Sequence, residues 1–157
     1  MTCILGIDPG ISGAIAFFYT EAPTRVIVED VPVVAGEISG RLLAERIKTL
    51  KPDIAMIERV GAMPKQGVSS TFNFGVSFGQ VRGVVSAFDI QIHLVAPAKW
   101  KRHFNLSSDK EEARSKAISI FPPCAASFAR KKDHGRAEAA LLARYGFEIL
   151  FPASAAA

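Results

Sequence analysis

Residues 4–10 read ILGIDPG, and Gly13 with a second apolar run at 14–18 follows directly. This stretch decides the fold, because a buried strand that ends in Asp8 reverses at a Pro-Gly turn into a second strand. A carboxylate at the end of a buried strand is costly, since an unpaired buried charge is strongly destabilising or takes up a proton. Asp8 is therefore expected to have a counter-ion, and a metal cation shared with other acids is one candidate.

The rest of the chain alternates between predicted strands and helices. We predict strands at 3–8, 13–19, 25–31, 54–57 and 90–95, and helices at 38–50, 70–88, 98–104, from a cap at 108–109 to 120, and at 134–147. The Pro-Pro pair at 122–123 predicts a loop that lasts to 132. Three consecutive strands followed by strand–helix alternation predict an α/β fold, with a five-stranded mixed sheet flanked by helices on both faces.

Composition and charge exclude several classes of protein. Hydrophobic residues make up 49% of the sequence, which excludes a globally disordered chain. The length of 157 residues predicts one domain over 1–150. We expect the low-complexity segment at 151–157 to be a disordered tail. Lys and Arg number 19 against 15 acids, and they concentrate at 97–116 and 130–136. This distribution suits a polyanionic partner, although a solubilising surface explains the charge equally well.

The cysteine content and hydropathy bear on the cellular setting. The two cysteines, Cys3 and Cys124, predict neither a disulfide framework nor a cysteine metal site. No apolar run approaches the roughly 20 residues of a membrane span, and the first residues do not read as a signal peptide. We therefore expect a cytoplasmic protein without a membrane partner.

Two further acids are placed to join Asp8. Glu58 ends the fourth predicted strand, and Glu138 lies among small, apolar residues of the last helix. If the first and fourth strands are parallel neighbours, Asp8 and Glu58 emerge at the same sheet edge, where open α/β sheets bind ligands. His134 shares a helix face with Glu138, whereas Asp133 reaches that site only from the N-cap, where it otherwise caps the helix.

Hard oxygen ligands without cysteine favour Mg²⁺ or Mn²⁺. Two such ions about 3.5–4 Å apart activate a water and stabilise the leaving oxygen in phosphodiester cleavage. Each residue alone also has an ordinary interpretation as a turn, cap or surface residue. Their joint position at one sheet edge favours the metal site.

These residues resemble the RuvC-type Holliday junction resolvases of the ribonuclease H-like superfamily. The resemblance is carried by residues 6–10 with Gly13, by the strand-ending 57–58 and by RAEA at 136–139, and it covers about 1–147. KKDHGRAE at 131–138 resembles the phage or prophage branch. The resemblance implies a ribonuclease H-like nuclease domain and a metal-dependent endonuclease that cuts branched DNA, leaving 5′-phosphates. It also implies Mg²⁺, for which Mn²⁺ substitutes, and a homodimer.

The resemblance further implies four metal ligands, with two acids at i and i+3 on the last helix. Asp8, Glu58 and Glu138 match the family pattern, but position 135 is glycine. Asp133 or His134 must then supply the fourth ligand: charge favours Asp133, and helical geometry favours His134. We expect all five residues to be catalytic.

A basic stretch at 96–101, followed by 109–111, resembles the DNA-facing part of the family. The expected DNA contacts are Lys99, Lys101, Arg102 and Lys110. Lys101 and Lys110 resemble the phosphate-binding lysines, although Lys110 is also read as an ordinary helix-surface residue. The family's aromatic residue after the strand-four acid is missing, so we expect Phe72, Phe74 or Met63 to wedge against a base.

The predicted helix at 70–88 combines phenylalanines with glycines. Small residues allow two helices to approach closely, so this helix is the expected homodimer contact. Ordinary core packing explains the same pattern equally well.

Three other functions share parts of this pattern. A ribonuclease H acting on RNA–DNA hybrids has the same fold and acids. A sugar-kinase or actin-like ATPase also has Asp-Gly phosphate loops, but it needs two such lobes. A non-catalytic DNA-junction-binding module would have lost part of its acid set. Cleavage assays on hybrid and branched substrates separate these functions.

Overall fold

The computed structural model describes residues 1–156. The strands are β1 Cys3–Asp8, β2 Ala14–Tyr19, β3 Ile27–Asp30, β4 Val33–Val34, β5 Glu37–Ile38, β6 Ile54–Glu58 and β7 Gln91–Val95. The helices are α1 Gly40–Leu50, α2 Val68–Ser86, α3 Pro97–His103, α4 Lys110–Ile120, α5 His134–Leu150 and α6 Pro152–Ala155, with 3₁₀ helices at Pro122–Phe128 and Lys131–Asp133.

The main sheet has five strands in the order β3-β2-β1-β6-β7. β2 is antiparallel to both β1 and β3, whereas β1, β6 and β7 run parallel. The β1–β6 register pairs Ile7 with Ile57, so Asp8 and Glu58 end neighbouring strands at one edge. The predicted five-stranded mixed sheet is therefore confirmed.

Helices cover both faces of the sheet, because successive strand residues point to opposite sides. Leu5, Ile7 and Ile57 pack in a core that also contains residues of α1 and α2. Ile4 and Met56 pack in a second core, on the opposite face, with α4 and α5. Asp8 and Glu58 have the parity of this second set, so both side chains belong to the α5 face.

Four local features differ from the expectations. The segment predicted as a loop at 122–132 consists largely of 3₁₀ helix, and Phe121 and Phe128, which are fully buried, anchor it to the core. A small hairpin, β4–β5, was not predicted; its turn uses positive φ at Ala35 and Gly36. α5 extends to Leu150, and α6 lies within the segment for which a disordered tail is expected.

α6 has a physical reason to form, because Phe151 and Ala155 are partly buried against the α4–α5 core. α2 begins and ends two residues earlier than predicted, and β3 is shorter than the predicted strand. None of the helices within residues 1–156 combines the length and the hydropathy that crossing a bilayer requires.

Candidate metal centre and nucleic-acid cleft

Three carboxylates from distant parts of the chain converge at one edge of the sheet. Asp8 ends β1, Glu58 ends β6 and Glu138 lies in the first turns of α5. One oxygen from each lies within 4.8 Å of the other two, and all three side chains are half-buried. The parallel pairing of β1 with β6 aligns the first two, and the docking of α5 brings the third.

α5 approaches β1 closely because residue 6 has no side chain. A Cβ atom at Gly6 would lie 2.1 Å from the carbonyl oxygen of Ala139 and 2.7 Å from the backbone nitrogen of Ala143. Any larger residue must push the helix away from the strand. Since Ala139 directly follows Glu138, the glycine in the β1 motif also sets the distance between Glu138 and Asp8.

The three acids repel one another in a poorly solvated place. Burial, followed by the charges of Glu58 and Glu138, raises the pKa of Asp8 to about 8, although the Gly10 backbone and Lys110 oppose this. Burial also raises the pKa of Glu58, against a hydrogen bond from Trp100. The cluster is therefore short of positive charge, and a divalent cation would supply it.

The donor set fits a small, hard cation. Mg²⁺ and Mn²⁺ are bound through a few carboxylate oxygens and keep several waters, and three carboxylates without a sulfur ligand match that preference. Asp8, Glu58 and Glu138 are the residues that would hold such an ion.

A cleft of about 880 Å³ opens over the three acids. Its walls come from the turn after β1, the β4–β5 hairpin, α2, and the starts of α4 and α5. The polar and charged side chains that line it include Asp8, Glu58, Ser70, Asn73, Gln80, Lys110, His134 and Glu138. The volume of this cleft lies within the range that is usual for ligand-binding sites.

His134 and Lys110 stand together on the cleft wall. The Lys110 ammonium lies 3.3 Å from Nε2 of His134, and Nδ1 of His134 lies 3.4 Å from the carbonyl oxygen of Lys131. Since an ammonium can only donate, the contact with Lys110 is a hydrogen bond in the tautomer in which Nε2 accepts and Nδ1 carries the proton. His134 lines the same cleft as the acids but is not one of the three close-set ligands.

Asp133 does not join the cluster. Its carboxylate, 2% exposed, accepts hydrogen bonds from the backbone nitrogen of Arg130 at 2.9 Å and from Nη2 of the same residue at 2.8 Å. This pairing holds the pKa of Asp133 below its usual value. The structure thus does not place Asp133 among the clustered acids, since its oxygens bind Arg130 just before α5, and its role as a metal ligand and catalytic residue stays a prediction.

Position 135, where the family pattern has an acid, does face the site. A Cβ at Gly135 would lie 3.4 Å from Oδ2 of Asp8, but only 2.9 Å from the carbonyl oxygen of Ser12. The turn after β1 thus occupies the space that a fourth carboxylate on α5 would need.

The basic residues divide into two groups. Lys101 lies 3.8 Å from Oε1 of Glu138, and Lys110 lies on the cleft wall. Lys99 and Arg102 are exposed on α3 beside them. In the second basic segment, by contrast, Arg136 pairs with Asp30 at 2.7 Å, as Arg130 does with Asp133, so these two charges serve the fold.

The three candidate wedge residues lie in different places: Phe72 and Phe74 on α2, and Met63 in the loop before it. Phe74 lines the cleft, and its ring lies 3.8 Å from where a Cβ of Gly10 would be. Phe72 is 70% exposed and does not line the cleft. Met63, in the preceding loop, is also 70% exposed and outside the cleft wall.

One contact of the site was missed by sequence reasoning. The indole Nε1 of Trp100 donates to Oε1 of Glu58 at 3.0 Å. Its position between Lys99 and Lys101 indicated a DNA-facing stretch, and nothing in the local pattern distinguished an inward tryptophan from an outward one.

The far side of α2 is open. Val81 and Val85 are buried against the sheet, whereas Cβ atoms at Gly75, Gly79 and Gly83 would meet nothing within 4 Å in the described chain. Core packing accounts for the valines but not for the exposed glycines.

A mixed five-stranded sheet with acids at the ends of its first and fourth main-sheet strands and on α5 is the arrangement of a ribonuclease H-like fold. No protein-family model matches the chain, and no curated protein matches it in sequence. Solved structures do match.

One match is Thermus thermophilus RuvC in complex with a Holliday junction substrate, at 16% identity and a TM-score of 0.70, covering 95% of this chain and 96% of that one. The yeast mitochondrial Holliday junction resolvase Ydc2 matches at 17% identity and a TM-score of 0.56, over 92% of this chain and 78% of that one. Fowlpox virus resolvase, solved with Holliday junction DNA, matches at 15% identity and a TM-score of 0.52, over 96% and 99%. The chain therefore has the RuvC-type resolvase fold, as the sequence predicted.

Proposed function

We propose that this chain is a metal-dependent endonuclease that resolves Holliday junctions by symmetric phosphodiester hydrolysis. The observation that carries the proposal is the convergence of Asp8, Glu58 and Glu138 at the floor of a cleft with lysines at its side. The shared fold with junction resolvases supports branched DNA as the substrate class. The motif at 131–138 resembles the phage or prophage branch of the family, and membership of that branch stays a prediction.

The reaction would divide its work between ions and side chains. When bound, Mg²⁺, for which Mn²⁺ substitutes, supplies a Lewis acid that activates water and stabilises the leaving oxygen. Asp8, Glu58 and Glu138 would hold the ions. His134, which lines the same cleft as the acids, is the proposed fourth ligand in place of Asp133.

DNA would be bound around this centre by charge and stacking. Lys101 and Lys110 would contact phosphates next to the scissile bond, and Lys99 and Arg102 would extend the basic surface along α3. Phe74 is the better-placed wedge, since its ring lines the cleft, whereas Phe72 lies outside it. Its aromatic face can stack on a base freed at the branch point.

A four-way junction presents two equivalent strands, so symmetric cleavage calls for two active sites. We propose that the open glycine face of α2 pairs with the same face of a second copy. The exposed Val68, Phe72 and Val76 on the same helix would then be covered.

The test is cleavage of a substrate panel. The protein is incubated with a four-way junction, a linear duplex and an RNA–DNA hybrid, each with Mg²⁺, with Mn²⁺ and with EDTA. We expect paired nicks in opposing strands of the junction, and none with EDTA. Preferential cutting of the hybrid would instead indicate a ribonuclease H, and junction binding without cleavage in either metal would indicate a non-catalytic module.

A further inference from the structure

Trp100, in the middle of α3, is the single tryptophan of the chain. Its side chain is fully buried, and its indole N–H donates to Oε1 of Glu58, 42 residues earlier in the chain, at 3.0 Å. Within residues 1–156 it is the one protein donor to the Glu58 carboxylate. A buried donor directed at one acid of the proposed metal centre calls for an explanation beyond packing.

We propose that Trp100 is a positioning residue that fixes the orientation of the Glu58 carboxylate for metal binding; this rests on the proposed metal-dependent function. Three carboxylates that repel one another would otherwise rotate apart before an ion binds. A donor on Oε1 fixes the rotation of the carboxylate and leaves Oε2 without a protein donor. Hydrogen bonds to ligating carboxylates typically change metal affinity by about 10–100-fold.

The indole suits this role because it has one N–H donor and no acceptor. It therefore cannot turn over to compete with Glu58 for the ion, as an amide or a hydroxyl could. The ring is held in the core together with Val95 and Phe104, which flank α3 in the chain. Packing therefore holds the ring in place next to the acid that it contacts.

The next residue of α3 extends the same support. Lys101 places its ammonium 5.5 Å from the Trp100 ring centre and 3.8 Å from Oε1 of Glu138. Consecutive residues thus contact two of the three acids, one by a neutral donor and one by a charge. α3 therefore contacts the acid cluster through two neighbouring side chains.

The first experiment removes the N–H donor and keeps an aromatic ring at this position. Trp100→Phe is compared with Phe104→Leu, a core substitution just after α3 that touches none of the acids. Mn²⁺ affinity is measured by calorimetry, and folding by circular dichroism. We expect Trp100→Phe to raise the Kd for Mn²⁺ about tenfold or more and Phe104→Leu to leave it within about twofold.

Cleavage provides a second readout. We expect Trp100→Phe to need a higher Mn²⁺ concentration for half-maximal rate, with junction affinity unchanged and the rate restored at saturating Mn²⁺. A Kd for Mn²⁺ within twofold of wild type would overturn the positioning role. So would a loss of rate that excess Mn²⁺ does not restore.

A third measurement uses only the wild-type fold, in case Trp100→Phe does not fold. Since the chain has one tryptophan, its indole N–H gives one resonance in a ¹⁵N correlation spectrum. We expect saturating Mg²⁺ to shift this resonance, and Glu58→Gln to abolish that shift. An unmoved resonance in protein that calorimetry shows to bind the ion overturns the positioning role alone, whereas wild-type protein that neither binds Mn²⁺ nor cuts junctions overturns the proposed function.

Discussion

Glycines have opposite surroundings on the two sides of the sheet. At Gly6 a Cβ would collide with the backbone of α5 at 2.1 Å, whereas at Gly75, Gly79 and Gly83 it would meet nothing within 4 Å. At Gly6, the missing side chain lets α5 pack directly against β1, and this contact brings Glu138 close to Asp8. On α2 it leaves a smooth, uncovered helix face. The same residue type thus permits a close helix–strand contact beside the acid cluster in one region and leaves an exposed helix face in the other.

The largest effect on cleavage is expected at Asp8, in the acid cluster. Asp8→Asn keeps the shape of the side chain but removes one ligand and its charge, so we expect cleavage to fall about a thousandfold or more. Junction binding, measured by gel shift in Ca²⁺ or EDTA, should persist. Full cleavage activity in this variant would contradict the proposed metal centre.

The contrast between glycines is tested by matched substitutions. Gly6→Ala should force α5 from β1, lower stability by about 1–3 kcal/mol and abolish Mn²⁺ binding. Gly79→Ala should keep the fold and Mn²⁺ affinity, and change chain stability by at most about 1 kcal/mol in the favourable direction. Denaturant unfolding and calorimetry measure both. Equal effects at the two positions would mean that the close approach at Gly6 is not what assembles the site.

Burial and the neighbouring acids raise the pKa of Asp8 to about 8, so the stability of the protein should depend on pH. The unfolded chain loses that proton near its ordinary pKa of about 4, so the stability of metal-free protein should fall as pH rises from about 4 to 8. Asp8→Asn should remove this slope and raise Tm at pH 8 by at least about 3 °C. Thermal unfolding in EDTA at several pH values measures it.

The same proton links pH to metal binding. Mn²⁺ must displace it from Asp8, so affinity should rise by up to about tenfold per pH unit towards pH 8 and then level off. Calorimetry in buffers of different ionisation enthalpy should show proton release below pH 8. Affinity that is flat between pH 6 and 8 would contradict the raised pKa.

Lys110 tests the cleft wall between the two regions. Lys110→Ala should weaken junction binding several-fold and reduce the slope of log affinity against log salt by about one, since one phosphate contact is lost. Lys48, on α1 away from the cleft, provides a matched control through Lys48→Ala. An unchanged salt slope in Lys110→Ala would assign this lysine to an ordinary helix surface.

The smallest effect on the chain itself is expected on the open side. Gly79→Glu places a charge on the smooth face of α2, so it should shift the protein from dimer to monomer while its circular dichroism spectrum stays unchanged. Light scattering after size-exclusion chromatography measures the mass. A wild-type monomer at micromolar concentration would contradict the proposed pairing through α2.

Much of the site followed from local patterns. Asp8 and Glu58 each end an apolar strand, and the parallel pairing of those strands is sufficient to bring them to one edge. Glu138 stood out because its helix neighbours are small or apolar. These predictions depended on period-two burial and on strand ends, which short stretches of sequence encode directly.

The sequence did not show which of Asp133 and His134 lines the acid cleft, because that depends on which groups surround them in the fold. Asp133 carried the expected charge, but Arg130 folds back onto it, and no spacing rule states where an arginine will point. Trp100 was overlooked for the same reason, since its partner lies 42 residues away. Phe121 and Phe128 likewise order a segment of 3₁₀ helix that its prolines indicated as a loop.

The sequence alone determines the order of strands and helices, the acids at their ends and the uneven basic charge. Each of these features depends on neighbours within a few residues. Only the tertiary structure decided which acids cluster, which arginines form ion pairs with acids and which glycines pack against another element. Those outcomes depend on contacts between side chains tens of residues apart, and the position of α5 on β1 settles most of them together.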